Sequence, residues 1–491
     1  MASSRPNRWK YESLDGGDSS SLLNGLVRLY AKAMPSSENH PFVYGGVFLL
    51  AVTGLLPWNI FITATNYFHY KFSPSVNGSL GGTYYYGHTS NIERSYIDRT
   101  FETWFAILGG TSMFLATIVN VAITESVSNA MRSMGGHVWS LIPLAICVVL
   151  ALADSTKWVE TFFGITLVCV FVSNVASNGF IQGSTVGLAA QLPAIYMQAF
   201  MAGCALAGVV ASLASLASQA FTPDPRTNGI VYFVFGTLFC AASMVVYHGV
   251  VRTPFVRAHL KRAKPHIVTD QNGVDDSSDL LGEEDQREDN GRTSEVVAVS
   301  SEAADDSNRA GAPKAEIWTV FWKMRYECTT IVVVYTMTMS LFPALTSLVH
   351  SSSDSPVWRS YFIPVTCFLL YNTGDFSGRM VSIWCRWPGP EHKRWLLYAG
   401  LLRYILAPMV YFTNAQPRKY SVAFFDQDWH FAVIMAVFSL SNGYILSLAN
   451  MYGPTRVLPH EMELGGSMLT LVSTMGICFG VLLTYGVVAV V

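Results

Sequence analysis

Residues 429–452 read WHFAVIMAVFSLSNGYILSLANMY, a run without a single Asp, Glu, Lys or Arg. Wound as a helix, a run of this length covers roughly the 30 Å of a bilayer's hydrocarbon core. Similar runs recur from end to end of the chain. Of 491 residues, 51% are hydrophobic and 13% are charged. Soluble domains carry about twice that charged share. Mean hydropathy is +0.33 even though a polar tail and a polar loop are averaged in. Backbone in lipid must bond to itself, and runs of this length and period do so as helices. The chain therefore reads as an all-α polytopic membrane protein.

Working outward from that run, eleven candidate transmembrane helices fall at about 42–68, 100–124, 135–153, 159–187, 194–218, 228–251, 325–350, 358–384, 395–413, 429–452 and 464–490. Prolines at 57, 143, 364 and 408 predict kinks of the kind transporters tolerate. The expected organisation is a disordered cytoplasmic tail (1–41), a six-helix bundle (42–251) with an extracellular loop at 69–99, a disordered cytoplasmic loop (252–324) and a five-helix bundle (325–491). The acidic, Ser-rich stretch 269–310 lacks the apolar residues that would repay folding. A six-plus-five split across such a loop suggests two bundles rocking about a central path, a major-facilitator-like arrangement.

Charge sets the expected orientation. With the N-terminus cytoplasmic, the inside segments hold 21 Lys and Arg and the outside segments 8. The C-terminus then lies outside. The Asn77-Gly78-Ser79 sequon falls in the first outside loop and makes Asn77 the candidate glycosylation site. No cleavable signal peptide precedes the first span. The eight cysteines lie within or beside apolar segments with no metal-type spacing, and read as small packing residues.

Enzyme chemistry finds no footing. There is no Ser/His/Asp constellation, no metal-binding set, no phosphate loop and no selectivity-filter sequence, so neither cofactor nor nucleic-acid partner is expected. What stands out is ionisable side chains inside spans, which are costly in lipid unless paired or wetted. Asp375 and Arg379 are four apart on the eighth candidate span and share a helix face. Arg403 sits at similar depth in the ninth. They read either as a lock between helices or as part of a polar path. In the first span, Leu55-Leu56-Pro57-Trp58-Asn59 places a kink, an aromatic face and the Asn59 amide together, which suits a flat ligand with polar edges. Trp58 alone also fits an interfacial anchor, although its depth argues otherwise. Gln182 reads as a pore-lining amide among small residues that permit close helix packing.

Several of these segments coincide with one family. LLPWNIFITATNYF (55–68), QGSTVGLA (182–189), FIPVTCFLLYNTGDFSGR (362–379), RWPGP (386–390), SNGYILSLANMYGP (441–454) and LPHEMELGG (458–466) resemble the equilibrative nucleoside transporters, in family order and across most of the spans. The resemblance implies eleven helices and sodium-independent, bidirectional facilitated transport of purine and pyrimidine nucleosides, and in some members nucleobases. By motif match, Leu55 and Trp58 contact the base, Gln182 hydrogen-bonds it, and Asp375 and Arg379 address the ribose hydroxyls with Asn372 nearby. One departure is Asn178, one turn before Gln182, where familiar members carry Gly or Ser at a position linked to inhibitor sensitivity. The resemblance therefore implies nothing here about inhibition by nucleoside analogues.

Two rivals remain at this stage. One is a proton-coupled nucleoside or organic-cation carrier, with Asp375 relaying a proton or attracting a cation. The other is a membrane receptor or scaffold acting through the 252–324 loop. The plasma membrane is the expected location. Acidic dileucine patterns ending in Leu22-Leu23 and Leu280-Leu281 offer sorting adaptors a handle for late endosomes or lysosomes as the alternative.

Overall fold

The computed structural model describes residues 40–72, 96–155, 157–221, 225–263, 316–416 and 423–490, and these are helical almost throughout. The first half comprises α1 (Pro41–Thr63), α2 (Thr65–Phe72), α3 (Tyr96–Ile123), α4 (Asn129–Leu152), α5 (Val159–Asn174), α6 (Gln182–Ala190), α7 (Ala194–Phe221) and α8 (Pro225–Arg252). A π-helical stretch, Val175–Ile181, joins α5 to α6 without a break. A short helix, α9 (Pro254–Ala263), follows α8. The second half begins with α10 (Ile317–Lys323) and α11 (Arg325–Leu341). It continues with α12 (Pro356–Phe362), a second π-helical stretch (Ile363–Leu369) and α13 (Leu370–Val381), then α14 (Lys393–Leu402) and α15 (Leu406–Tyr411) around a 3₁₀ turn. Two long helices, α16 (Asp428–Tyr452) and α17 (Met462–Val490), close the chain.

Helix covers most of each of the eleven expected stretches, although the one expected at 325–350 leaves the helix after Leu341. Eight helices among the described residues are long and apolar enough to cross a membrane, and the apolar part of α3, Ile107–Ile123, is shorter. The two remaining stretches fall short for a local reason. The α12–α13 segment carries Asn372, Thr373, Asp375, Ser377 and Arg379 close together, and these lower its mean hydropathy. The stretch expected at 395–413 is interrupted at Arg403–Ile405, where a 3₁₀ turn separates α14 from α15. The stretch 252–324, expected to be disordered throughout, is helical at both ends. Val256 and Val320 are fully buried, and the Phe255 ring packs 5.5 Å from that of Tyr196, so these ends have apolar surface to bury. Asn77 and the Leu22-Leu23 and Leu280-Leu281 pairs lie outside the described residues.

Each half has its own apolar core. In the first, Phe61, Phe68, Phe72, Phe101, Phe105 and Phe233 interlock, with Phe68 and Phe105 edge to face at 4.9 Å. Beside this cluster two cations cap the C-terminus of α4. Lys71 Nζ donates to the Ala153 carbonyl at 2.6 Å and Arg226 Nη2 to the Leu152 carbonyl at 2.5 Å. They meet the orphan carbonyls that every helix end leaves and sit at the negative end of its dipole. In the second half, Phe362, Tyr371, Phe431 and Phe438 form the corresponding core.

Candidate functional site

The eighth candidate span starts where Ser355 caps it, its side chain accepting from Trp358 N at 3.4 Å, with Pro356 in the first turn. In α13 the four-residue spacing of Asp375 and Arg379 brings the side chains together. Arg379 Nε and Nη2 reach Asp375 Oδ2 at 2.9 and 2.8 Å. Both residues are about 5–6% exposed. The other carboxylate oxygen, Oδ1, accepts from Asn442 Nδ2 on α16 at 2.7 Å. Asn442 Oδ1 in turn accepts from Thr338 Oγ1 of α11 at 2.8 Å. Thr338 Oγ1 also lies 3.3 Å from both terminal nitrogens of Arg403. A continuous buried relay thus runs Arg379–Asp375–Asn442–Thr338–Arg403 through four helical segments.

Arg403 meets no carboxylate among the described residues. It donates to the Phe438 carbonyl and Ser441 Oγ, each at 3.0 Å, and stacks 5.2 Å over the Phe438 ring. Arg403 is linked to Asp375 through Thr338 and Asn442 and not directly. Arg403 is a strut that ties the 3₁₀ turn to α11 and α16.

Close contact between α13 and α16 makes the relay possible. A Cβ on Gly443 would collide with the Asp375 carbonyl oxygen, and one on Gly378 with the Leu440 carbonyl oxygen. Only glycine lets the backbones approach closely enough for Asn442 to reach the carboxylate. The glycines of the 362–379 and 441–454 motifs therefore serve the same crossing from opposite sides.

Arg379 also faces the first half. Its Nη1 donates to the Met201 carbonyl of α7 at 2.8 Å, and its own carbonyl accepts from Gln198 Nε2 at 3.1 Å. Gln198 Oε1 accepts from the Tyr44 hydroxyl of α1 at 2.8 Å. Asn372 Nδ2 reaches Ser212 Oγ of α7 at 2.8 Å. Gln182, the first residue of α6, donates weakly from Nε2 to Cys204 Sγ at 3.5 Å. Its Oε1 is buried without a partner among the described residues. Cys204 is close enough to feel the charges of both Arg379 and Asp375, so Gln182 and the ion pair flank one thiol. That oxygen is an acceptor open to a further donor.

In α1, which runs through Pro57, Gly54 packs against Gln182. Trp58 is half-buried and lies across Gly109 of α3, where any Cβ would strike the indole. Asn59 donates to the carbonyl of Leu55 in its own helix at 3.1 Å. Asp375, Arg379, Gln182 and Asn372 thus gather where α6, α7 and α13 meet, with Gly54 of α1 against Gln182. Sequence reasoning overlooked Asn442, Thr338, Gln198 and the Met201 carbonyl. A single amide in an apolar run was the signal available for Asn442.

Three ionisable groups looked buried from the sequence, and the structure adds more. Arg132, placed outside the third span by its expected boundary, is buried in α4 and ion-paired through Nη2 with Glu463 Oε1 of α17. Asn129 Nδ2 and Gln191 Nε2 approach the same carboxylate at 3.3 and 3.4 Å. Arg132 Nη1 donates to Asn120 Oδ1 at 2.7 Å, and Asn120 and Thr124 reach Ser467 Oγ. This cluster stitches α3, α4 and the end of α6 to the start of α17, joining the halves at one end of the bundle. At the same end, Glu327 pairs with Arg456 at 2.8 Å and Glu461 with Lys323 at 2.6 Å. The RWPGP motif is structural: the Tyr444 hydroxyl donates to the Trp387 carbonyl, and that of Tyr452 to the carbonyls of Arg386 and Pro388.

Residues 165–489 match a family model described as nucleoside transporter. The chain is 30% identical to human equilibrative nucleoside transporter 2, over 89% of this chain and 95% of that protein. It is 29% identical to human equilibrative nucleoside transporter 1 with the same coverage. A crystal structure of the E. coli fucose:proton symporter aligns over 89% of each chain at 11% identity, with a TM-score of 0.49. The family-model match and the relatives agree with the motifs: the chain belongs to the equilibrative nucleoside transporter family.

Proposed function

We propose that this chain carries nucleosides across its membrane by facilitated diffusion, and that the Asp375–Arg379 pair addresses the ribose. The observation that carries this reading is the pair itself. A carboxylate and a guanidinium are held side by side, buried, on the boundary between the two halves. A vicinal diol offers two donors and two acceptors at that spacing, and charge-assisted hydrogen bonds to it are the strong kind. The names of the relatives support the same substrate class. Gln182 Oε1 supplies an unmet acceptor for an amino or imino edge of the base, and Leu55 and Trp58 supply apolar and aromatic surface.

Transport follows from which contacts break. The Arg132–Glu463 cluster joins the halves at one end of the bundle. With the N-terminus in the cytoplasm, that end faces the cytoplasm, and the site exchanges with the other side. Arg379 bonds both α13 and the Met201 carbonyl of α7, so a ribose that takes over the Arg379 donor loosens one tie between the halves. Binding energy then drives the rocking that opens the closed end. The relatives this chain matches are named equilibrative transporters, and Asp375 is held in an ion pair with Arg379 and a hydrogen bond from Asn442. This favours uncoupled, bidirectional movement over proton coupling. The plasma membrane is the proposed location.

The deciding experiment is uptake of labelled adenosine and uridine into proteoliposomes without sodium, at neutral and at acidic pH. Saturable flux at both, accelerated by unlabelled nucleoside on the far side, is the expected result. Flux that requires a proton gradient would move the assignment to a coupled carrier. Binding without flux would move it to a receptor.

A further inference from the structure

The end of the bundle that carries α10 and the start of α11 and α14 holds a cation pair that the transport site does not use. Arg325 opens α11, and its guanidinium stacks over two rings, 4.9 Å from Tyr326 and 5.7 Å from Trp322. Its Nη1 donates to the Trp322 carbonyl at 2.8 Å. Arg394, on the first turn of α14, also hydrogen-bonds the Tyr326 side chain. Two guanidinium groups therefore meet at one phenol. The nearby carboxylates are engaged elsewhere: Glu327 with Arg456, Glu461 with Lys323, and Glu391 with His392. Among the described residues, neither Arg325 nor Arg394 has an acidic partner.

The surroundings are those of a membrane boundary. Trp318 (66% exposed), Phe321 and Trp322 form a ring cluster on α10 with centroids 5.5–6.3 Å apart. Trp395 and Tyr398 stand exposed on α14, edge to face at 6.1 Å. Further along, Leu401, Leu402 and Ile405 continue the exposed apolar face. Beneath them α14 lies on α11, Gly400 against Thr330 and Val334, and the Tyr404 hydroxyl donates to the Val333 carbonyl at 3.2 Å. Tryptophan and tyrosine collect at headgroup depth, and aliphatic side chains below them face acyl chains.

We infer that Arg325 and Arg394 bind the phosphate of an anionic phospholipid, whose acyl chains run along the exposed face of α14 beside α11. Charge complementarity selects the headgroup: two guanidinium groups that meet no carboxylate among the described residues suit a phosphodiester in the fork geometry arginine favours, in a headgroup of net negative charge with no choline cation to offset it. Continuity with the lipid-facing surface selects a lipid over a soluble anion. In the orientation proposed above, the site lies in the cytoplasmic leaflet, where anionic lipids concentrate. It is independent of the nucleoside assignment.

Native mass spectrometry of the purified full-length chain tests the proposal, with phosphatidylserine and phosphatidylcholine as probes. The expected result is retained phosphatidylserine, weakened on the order of tenfold in Arg325→Gln/Arg394→Gln, with phosphatidylcholine unchanged. Should the double variant fail to fold, Arg394→Gln alone, at an exposed position, is expected to lower phosphatidylserine retention several-fold, roughly the effect of one charge. Equal phosphatidylserine retention by wild type and a folded variant overturns the site. Displacement of the lipid by soluble glycerophosphoserine or inorganic phosphate at matched concentration overturns the choice of a lipid over a free anion.

Discussion

Asn442 donates to Asp375 at 2.7 Å across the crossing of α16 and α13, so an amide on one helix sets the orientation of the carboxylate on another. With two Arg379 nitrogens on Oδ2 and Asn442 on Oδ1, the remaining lone pair of Oδ1 is the one a ribose hydroxyl can meet.

Asn442→Ala removes a hydrogen bond to a charged acceptor, an interaction worth about 1.5–3 kcal/mol. Part of that loss is expected in substrate binding. KM for uridine should rise by roughly tenfold, and much less for 2′,3′-dideoxyuridine, which lacks the diol. Equal losses for both substrates in initial-rate measurements would leave Asn442 a packing residue.

Asp375→Asn and Arg379→Ala should each abolish uridine uptake while folded protein stays in the membrane. Each single change also leaves buried charge unbalanced, a cost of about 3–5 kcal/mol. The double variant Asp375→Asn/Arg379→Gln should regain thermal stability over the singles and still transport nothing. Uptake by any of the three, measured alongside surface biotinylation, would remove the pair from the site.

Gly443→Ala drives a methyl into the Asp375 carbonyl and forces α16 away from α13. Overpacking of this kind costs about 1–3 kcal/mol. A lowered unfolding temperature in detergent, with raised KM for ribonucleosides, is expected. Gly45→Ala, where a Cβ meets nothing within 4 Å, is the control and should behave as wild type.

Glu463→Gln weakens the tie to Arg132 that joins α17 to α4. The closed end should open more often. Labelling of Ser467→Cys, introduced beside Asn120 and Thr124, by a membrane-impermeant maleimide should speed up several-fold when Glu463→Gln is added, roughly what losing about 1 kcal/mol of closure produces. An unchanged rate would mean that the ion pair does not hold this end shut.

How far the sequence reaches follows from the range of the forces involved. Helical spans were legible because apolar runs in lipid leave the backbone one solution, and the rule acts within each segment. The Asp375–Arg379 pair was legible for the same reason: four residues on a helix is a fixed distance, whatever surrounds it. Arg132 was misjudged because hydropathy assigns a charge near a span's end to water. In the fold, Glu463 stands opposite it although 331 residues separate the two in the chain. The helical ends of the 252–324 loop were missed because their apolar partners, such as Tyr196 for Phe255, belong to other segments.

By itself, then, the sequence determined that this is an α-helical membrane protein, which family motifs it carries, and which charges share a helix face. All of these depend on neighbours within a few turns or on hydropathy summed along a segment. Only the tertiary structure decided that Asn442 and Thr338 join Asp375 to Arg403, that Arg379 bonds the Met201 carbonyl, and that Arg132 meets Glu463. Those contacts depend on the register and approach of separate helices. That register is set by side-chain and glycine packing, as where Gly443 lets α16 close on α13, and no local pattern encodes it.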